Sequence, residues 1–575
     1  MCKILKLKSP IIVAPLFCIL IFVNVAHGQE LKSENKIFIN QLGYKVAERK
    51  VFKIAEPYDS FQIVNLEDKV VFEGRLTGPK HDQYADDDVW EGDFSNLRIP
   101  GVYVVRLPGN LYSWKFEISD DVYEKLFTMV THGLYASRCG YEVKDKAFKH
   151  PPCHLNQGDT MYLDGKKFYV GMKGNGGWHD GGDYWRSSMS AVQTISRMLW
   201  PLEMFPGKLD MMPSLLFPEE RWDGNTDILS EIKWGLDWLF QLQFKDGGVS
   251  TGISPIIFEM PPMGTPPQDD YVSHYLGAAN SSHTAKAGAV FAKAARILKR
   301  YDVYYAKQCY QNALQCWKFL EQHPKMVNPV TIRVYGRNSD DQDRLWFAVE
   351  MFRTTGENKY HEEFISQYNK LENPYPKPPV STQTIRSYNL HEALINYCLI
   401  ENGANKKIQK EIVEQLTKEN DLLVSISDNE GYGSVLNEEN WKERHTIGNS
   451  LQMAWELVMA YELTGNKVYQ DIARRQMQIV LGVNPLGKVF ITEVGSNPIK
   501  NPHYRPIGIN NQAPIGLTVK GPTHDKQFIK VRFENNPPAP FKSYVDEVVA
   551  HQCNEPDIEV QGHLIGLAAY FHLLK

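Results

Sequence analysis

Ile228-Leu229-Ser230-Glu231-Ile232-Lys233-Trp234-Gly235-Leu236-Asp237-Trp238-Leu239 places Ile228, Leu229, Ile232, Leu236 and Leu239 at i, i+1, i+4, i+8 and i+11, a single helical stripe. The stripe stops at Lys245-Asp246-Gly247-Gly248, a helix-ending turn. The same texture returns around Ala285–Arg300, Tyr304–Leu320, Asp343–Thr355, Gln452–Thr464 and Tyr469–Leu481, with long Gly-, Pro- and Trp-rich loops between. No βαβ alternation interrupts it. Residues 121–575 therefore read as one mostly helical unit. About twelve helices at roughly 38 residues each would fill it and leave room for functional loops. An α/α toroid is the natural arrangement, although a helical solenoid has the same count.

Upstream the period changes from 3.6 to 2. Lys36–Asn40, Val51–Ile54, Phe61–Val64, Lys69–Phe72, Gly101–Leu107 and Ser113–Ile118 alternate or run apolar between turn residues. Short strands at this spacing predict a β-sandwich over residues 29–120. The composition agrees with a globular protein: 575 residues, 43% hydrophobic, 23% charged and 12% aromatic. That excludes collagenous and disordered chains, and the absence of any basic block argues against a nucleic-acid partner. The aromatic content also suits a cleft that stacks the flat apolar faces of sugars.

The first 28 residues read as a signal peptide. Lys3, Lys6 and Lys8 precede an apolar run, Ile11 to Val23, that is short for a bilayer span, and Ala26-His27-Gly28 offers a cleavage site. Export to the periplasm or the medium is the expectation. Later runs are too short to span a membrane, and monomer is the default state. Beyond the leader lie Cys139, Cys153, Cys309, Cys316, Cys398 and Cys553, none in a C-x-x-C, which gives zinc little support.

Two loop segments carry candidate chemistry. In Gly174-Asn175-Gly176-Gly177-Trp178-His179-Asp180-Gly181-Gly182-Asp183-Tyr184, two carboxylates stand three residues apart among glycines and aromatics. In a helical turn both would face one side and could share a water, and their mutual repulsion would suit a general base. A calcium loop or a helix-capping Asp would use the same residues, and a zinc set of His179, Asp180 and Asp183 lacks a second His or Cys. The second segment is Tyr544-Val545-Asp546 followed by Asn554-Glu555-Pro556-Asp557, which alone reads as a solvated acidic cluster.

Together these segments resemble glycoside hydrolase family 9, and the resemblance spans nearly all of the chain after the leader. Phe38-Ile39-Asn40-Gln41-Leu42-Gly43-Tyr44 resembles the opening of that family's immunoglobulin-like module, and Tyr135-Ala136-Ser137-Arg138-Cys139-Gly140 the start of its catalytic domain. Gly177–Tyr184 is similar to its Trp-His-Asp-Ala-Gly-Asp-Tyr motif, with Gly181 in place of Ala. Asp227–Gly248, Arg344-Leu345-Trp346 with Thr355-Gly356, and Val489–Asn497 leading to Pro502-His503-Tyr504-Arg505 also match.

The resemblance implies an (α/α)6 toroid and inverting hydrolysis of a β-linked polysaccharide, of β-1,4-glucan type, without a required cofactor. It leaves room for a structural calcium that no clear motif supports. Carried over, Asp183 is the general base, Asp180 helps hold the attacking water, and Glu555 is the general acid. His503 and Arg505 would bind sugar, with Trp178, Tyr184 and Arg186 as further substrate-binding candidates. Inversion needs carboxyls about 6.5–9.5 Å apart, one of them protonated. Ile558, Val560 and the Leu564–Phe571 stretch would supply an apolar shell for Glu555. Departures gather near the acid: His551, Asp557, Gln561 and Gly562, with Trp185-Arg186 near the base. They read as an altered pocket, and Arg186, Arg505 and His551 make an acidic or amino-modified glycan an alternative substrate. A structural role for Arg186 carries equal weight. A non-catalytic glycan-binding protein is the remaining alternative.

Overall fold

The computed structural model describes residues 36–574 except 145–148, 209–211, 213–225, 333–338, 372–387, 510–511 and 535. The leader therefore lies outside the described residues. Nine strands form first: β1 (Ile37–Ile39), β2 (Gly43–Tyr44), β3 (Val51–Ile54), β4 (Ser60–Asn65), β5 (Val70–Asp82), β6 (Asp87–Asp93), β7 (Gly101–Leu107), β8 (Leu111–Tyr112) and β9 (Phe116–Ile118). All six expected strands are present. The sequence signal missed the two-residue β2 and β8, and also β6, because Asp87-Asp88-Val89-Trp90-Glu91-Gly92-Asp93 is too polar to alternate visibly.

β5 makes the two layers one unit. Its first half pairs antiparallel with β4, Ser60 opposite Arg75, and its second half with β6, Leu76 opposite Gly92. The layers enclose Tyr44, Phe52, Phe61, Phe94 and Phe116, which meet edge-on or tilted. The sandwich also packs on the helical unit. Phe38 and Val89 join Tyr432, Leu436, Trp441 and Phe541 in one cluster. Gln41 donates to Gly487 O (2.8 Å) and accepts from the backbone of Ser496 and Asn497. These contacts fit the module for buttressing.

Twelve described helices exceed ten residues: α1 (Val122–Ala136), α2 (Ser188–Met204), α3 (Asp227–Gln241), α4 (Ser281–Leu298), α5 (Val303–Gln322), α6 (Asp341–Thr355), α7 (Asn358–Tyr368), α8 (Tyr388–Cys398), α9 (Lys406–Asn429), α10 (Thr446–Thr464), α11 (Lys467–Val480) and α12 (Ile558–Leu573). The even-numbered helices pack in a closed ring, α2 on α4, α6, α8, α10, α12 and back to α2, and each odd-numbered one packs on a ring member. That closure distinguishes the toroid from the solenoid. The sequence obeys it: seventeen of eighteen residues of α4 are buried, but only six of twenty of α5. Charges inside the ring are paired, as in Glu392 with Arg197 (2.7 Å) and Lys293 (2.8 Å). Among the described residues no helix is long and apolar enough to cross a membrane.

Candidate active site

The Trp178–Tyr184 segment is an irregular loop, not the helical turn its i, i+3 carboxylates suggested. Its glycines explain why. Gly176 and Gly177 take φ of 109° and 72°, which side chains disfavour. A Cβ on Gly182 would lie 1.9 Å from the carbonyl oxygen of His503, so the two segments touch backbone to backbone. His179 N–H donates to Ser137 O (2.8 Å) and Asp180 N–H to Trp185 O (2.8 Å), closing the loop on itself and on α1's end.

Within this loop Asp180 Oδ1 accepts from Ser187 N–H (2.9 Å) and Asp183 Oδ1 from Trp185 N–H (3.0 Å). Neither Oδ2 has a hydrogen-bond partner among the described residues. Burial, and then the Glu555 charge, push Asp183 up to about 6. Burial also raises Asp180, and the Asp183 charge adds to it.

Glu555 arrives from the far end of the chain. It sits between a short helix, His551–Asn554, and α12, and its Oε1 accepts the N–H of Gly182 (3.2 Å). The two carboxyl-bearing segments are thus joined directly. The expected apolar shell is corrected here. Burial would raise the Glu555 carboxyl, but the Lys520 ammonium pairs with Oε2, and together with His503 and His551 it holds the group at about 2. Lys520 was not legible as a site residue, because Thr518-Val519-Lys520-Gly521 carries no motif and meets Glu555 only in the fold. His503 is fixed by its backbone N–H to Asn554 O (2.7 Å) and its Nδ1 to Val548 O (2.5 Å). Arg505 donates to Gly182 O (2.7 Å) and Pro261 O (2.9 Å), tying the Trp178–Tyr184 loop to the Met- and Pro-rich stretch Phe258–Tyr271.

Three expected substrate contacts are corrected. Trp178, 1% exposed, donates its Nε1–H to Glu231 (2.8 Å) and fills the gap that Gly235 leaves on α3. Tyr184 is buried against the His154 and His179 rings and donates to Thr265 O. Arg186, also 1% exposed, donates to Gly174 O (2.8 Å), Gly176 O (3.0 Å) and Gln157 (3.2 Å), so it staples the glycine loop. Three of the departures near Glu555 also have structural roles. Asp557 caps α12 by accepting from Glu559 N–H (2.8 Å). Gln561 bridges Thr518 N–H (2.9 Å) and the carbonyls of Val130 and Gly516. Gly562 allows close approach to Thr194 of α2.

The structure also gathers a group that the lack of C-x-x-C had argued against: Cys139, Cys153, His154 and His179, all buried. Zinc–sulfur bonds of about 2.3 Å and zinc–nitrogen bonds of about 2.0 Å give tetrahedral edges of roughly 3.8 Å for S–S, 3.5 Å for S–N and 3.3 Å for N–N. The observed separations are 3.9 Å between the two sulfurs, 3.5 Å for Cys139 to His154, 3.8 Å for Cys153 to His179, and 3.4 Å between the two imidazole nitrogens. The donor set fits such an ion. His154 Nε2 turns to Asp270 (3.2 Å), the outer carboxylate that orients a ligating imidazole. The only sequence hint was the adjacency of Cys153 and His154, because the other two donor side chains, Cys139 and His179, lie 14 and 25 residues from these.

Residues 123–568 match the family model "Glycosyl hydrolase family 9", and residues 32–111 match "Cellulase N-terminal ig-like domain". The chain is 29% identical over 490 residues to endoglucanase D of Acetivibrio thermocellus, covering 83% of this chain and 75% of that one. It is 27% identical over 542 residues to the cellodextrinase of Butyrivibrio fibrisolvens, covering 90% and 96%. The crystal structure of a metagenome-derived glycoside hydrolase family 9 endoglucanase superposes with a TM-score of 0.83 at 27% identity, covering 94% of this chain and 99% of that one.

Proposed function

We propose, from the premise that this chain belongs to glycosyl hydrolase family 9, that it hydrolyses β-1,4-glucan chains with inversion, using Asp183 as general base and Glu555 as general acid. The observation that carries the assignment is the meeting of Gly182 N–H with Glu555 Oε1, which sets the proton donor against the loop that bears the base. Among the described residues Asp180 and Asp183 each keep one carboxylate oxygen without a hydrogen-bond partner, a pair of acceptors suited to hold a water. The base takes a proton from that water as it adds to the anomeric carbon. The acid gives a proton to the departing glycosidic oxygen. Burial and the Glu555 charge raise Asp183, which strengthens it as a base. His503 lies beside Glu555 and Arg505 beside Asp183, and they are the candidates to bind the sugar at the cleaved bond. The substrate class is supported by the endoglucanase and cellodextrinase relatives.

The same reading takes Cys139, Cys153, His154 and His179 as ligands of a four-coordinate zinc. Such an ion supplies fastening, tying the segment before Leu155 to the loop that carries Asp180 and Asp183, and the hydrolytic step needs nothing from it. Residues 1–28 act as an export leader in this account, on the strength of the Lys3–Lys8 charges and the Ile11–Val23 run. The mass of the mature chain secreted by its host tests that part.

The experiment for the activity is reducing-end release across neutral β-1,4-glucans, xyloglucan, mixed-linkage glucan, glucomannan and acidic or amino glycans. Asp183→Asn and Glu555→Gln run alongside. Turnover on a β-1,4-glucan, lost in both variants with the fold intact, is expected. Activity on charged glycans alone refutes the substrate class, and binding without turnover refutes catalysis.

A further inference from the structure

Glu555 cannot act as a proton donor in the site as it stands. Its Oε1 faces the N–H of Gly182 at 3.2 Å and its Oε2 faces the ammonium of Lys520. Both oxygens are accepting, so the carboxyl is held as a carboxylate. The lysine is not a mobile surface chain. Its backbone N–H donates to the Glu555 carbonyl (3.1 Å), its own carbonyl accepts from Ile447 N–H (2.9 Å), and its neighbour Val519 bridges to Pro556. The paired side chains are 12% and 15% exposed, which leaves little water to screen them.

We propose that Lys520 is a positioning residue for the proton donor: in the resting site its ammonium occupies the carboxylate of Glu555, and bound glycan must part the pair before the bond can be cleaved. The proposal rests on the reading of Glu555 as the acid and goes beyond it, because it assigns the resting enzyme to the wrong protonation state for catalysis. Once a sugar hydroxyl or the glycosidic oxygen displaces the ammonium, Glu555 takes up a proton from the bulk solution and passes it to the leaving oxygen. Asp183 takes one from the attacking water, so the two carboxyls end the step with the one proton that Glu555 took up, and Asp183 returns it to solution before the next turnover. Lys520 then faces Asp557, which with Asp183 also stabilises its charge.

The groups that face Glu555 are few. Lys520 and His503 act on it from the segments beside it, His551 from the preceding short helix, and the negative charges of Asp183 and Asp557 from the catalytic loop and the α12 cap. Arg505 acts chiefly through Asp183. Lys520 is the largest of the charges lowering Glu555 and also lowers Asp183. Its removal therefore raises both carboxyls, and the singly protonated pair, the form that can react, persists to higher pH.

The test is the pH dependence of kcat/KM for the full-length mature protein, Lys520→Met, Lys520→Arg and Glu555→Gln, on the best soluble substrate of the glycan panel. In Lys520→Met the whole bell should move to higher pH, its acid limb by about one unit or more, the usual effect of one adjacent opposite charge. Lys520→Arg should keep the wild-type profile. A lysine with only a structural role would lower the rate at every pH without moving either limb, and that result overturns the proposal. If Lys520→Met does not fold, infrared difference spectra of the wild type against Glu555→Gln decide. No carboxylic-acid band from Glu555 is expected without ligand at pH 5, and such a band overturns the proposal. A fully active Glu555→Gln removes the acid assignment and this inference with it. An inactive one with an unmoved Lys520→Met profile removes only this inference.

Discussion

Gly182→Ala is the smallest change that should disable the site. The added methyl would lie 1.9 Å from His503 O and 2.8 Å from His503 Cδ2, where ordinary contact needs well over 3 Å, so the loop or the His503 segment must retreat by more than an ångström. Neither is free to do so. His503 is held by Asn554 and Val548, and the loop by Arg505. The retreat breaks the Gly182 N–H bond to Glu555, a charge-assisted contact of about 1.5–3 kcal/mol, and misplaces the base relative to the acid. A misplacement of that size costs about 100-fold in rate, and overpacking costs about 1–3 kcal/mol of stability. Gly181→Ala is the control, because its methyl would meet Pro556 O at 3.0 Å and Glu555 Oε1 at 3.4 Å, gaps closed by a few tenths of an ångström. The assay is kcat/KM on a soluble β-glucan beside melting curves. Gly182→Ala should lose about two orders of magnitude while melting only a few degrees lower, and Gly181→Ala should stay within about threefold. Gly182→Ala within threefold of wild type would refute the backbone-contact argument.

Further outcomes follow from the same geometry. Asp183 has its pKa raised from 3.8 to about 6, so its ionisation withdraws stability as pH rises through that interval. Asp183→Asn should therefore be more stable than wild type by about 2–3 kcal/mol at pH 8, with the gain gone below pH 4, in urea titrations at both pH values. Trp178→Phe should lose about 1.5–3 kcal/mol through the severed Glu231 bond and leave KM unchanged, whereas a raised KM would return Trp178 to the cleft. Metal analysis should find about one zinc per chain, lost in Cys153→Ser together with several degrees of melting temperature, and a zinc-free protein of full stability would contradict the site.

The fold was legible where periodicity is dictated by one-sided burial. The amphipathic stripe of α3 appears as predicted, because it presents one face to a core, and β7 appears where its short apolar run stands. β6 was not legible, since Asp87, Asp88, Glu91 and Asp93 mask its few inward residues. The carboxylates of the site were read from their motifs, and the structure brings their two segments into contact. What the sequence could not reveal was the company they keep. Lys520 meets Glu555 across 35 positions with no motif at the lysine itself, and the four metal-donor side chains have no compact spacing. Trp178, Tyr184 and Arg186 misled for the converse reason. Aromatic and cationic residues beside a catalytic motif suggest sugar contact, but here they are buried and hold the loop's shape.

The central claim is inverting cleavage by the Asp183–Glu555 pair, and proton magnetic resonance of the first products from a β-1,4-glucan tests it most directly. The account predicts that the newly formed reducing end appears as the α-anomer before mutarotation, and that Glu555→Gln forms none. Initial release of the β-anomer, or undiminished product from Glu555→Gln, would contradict it.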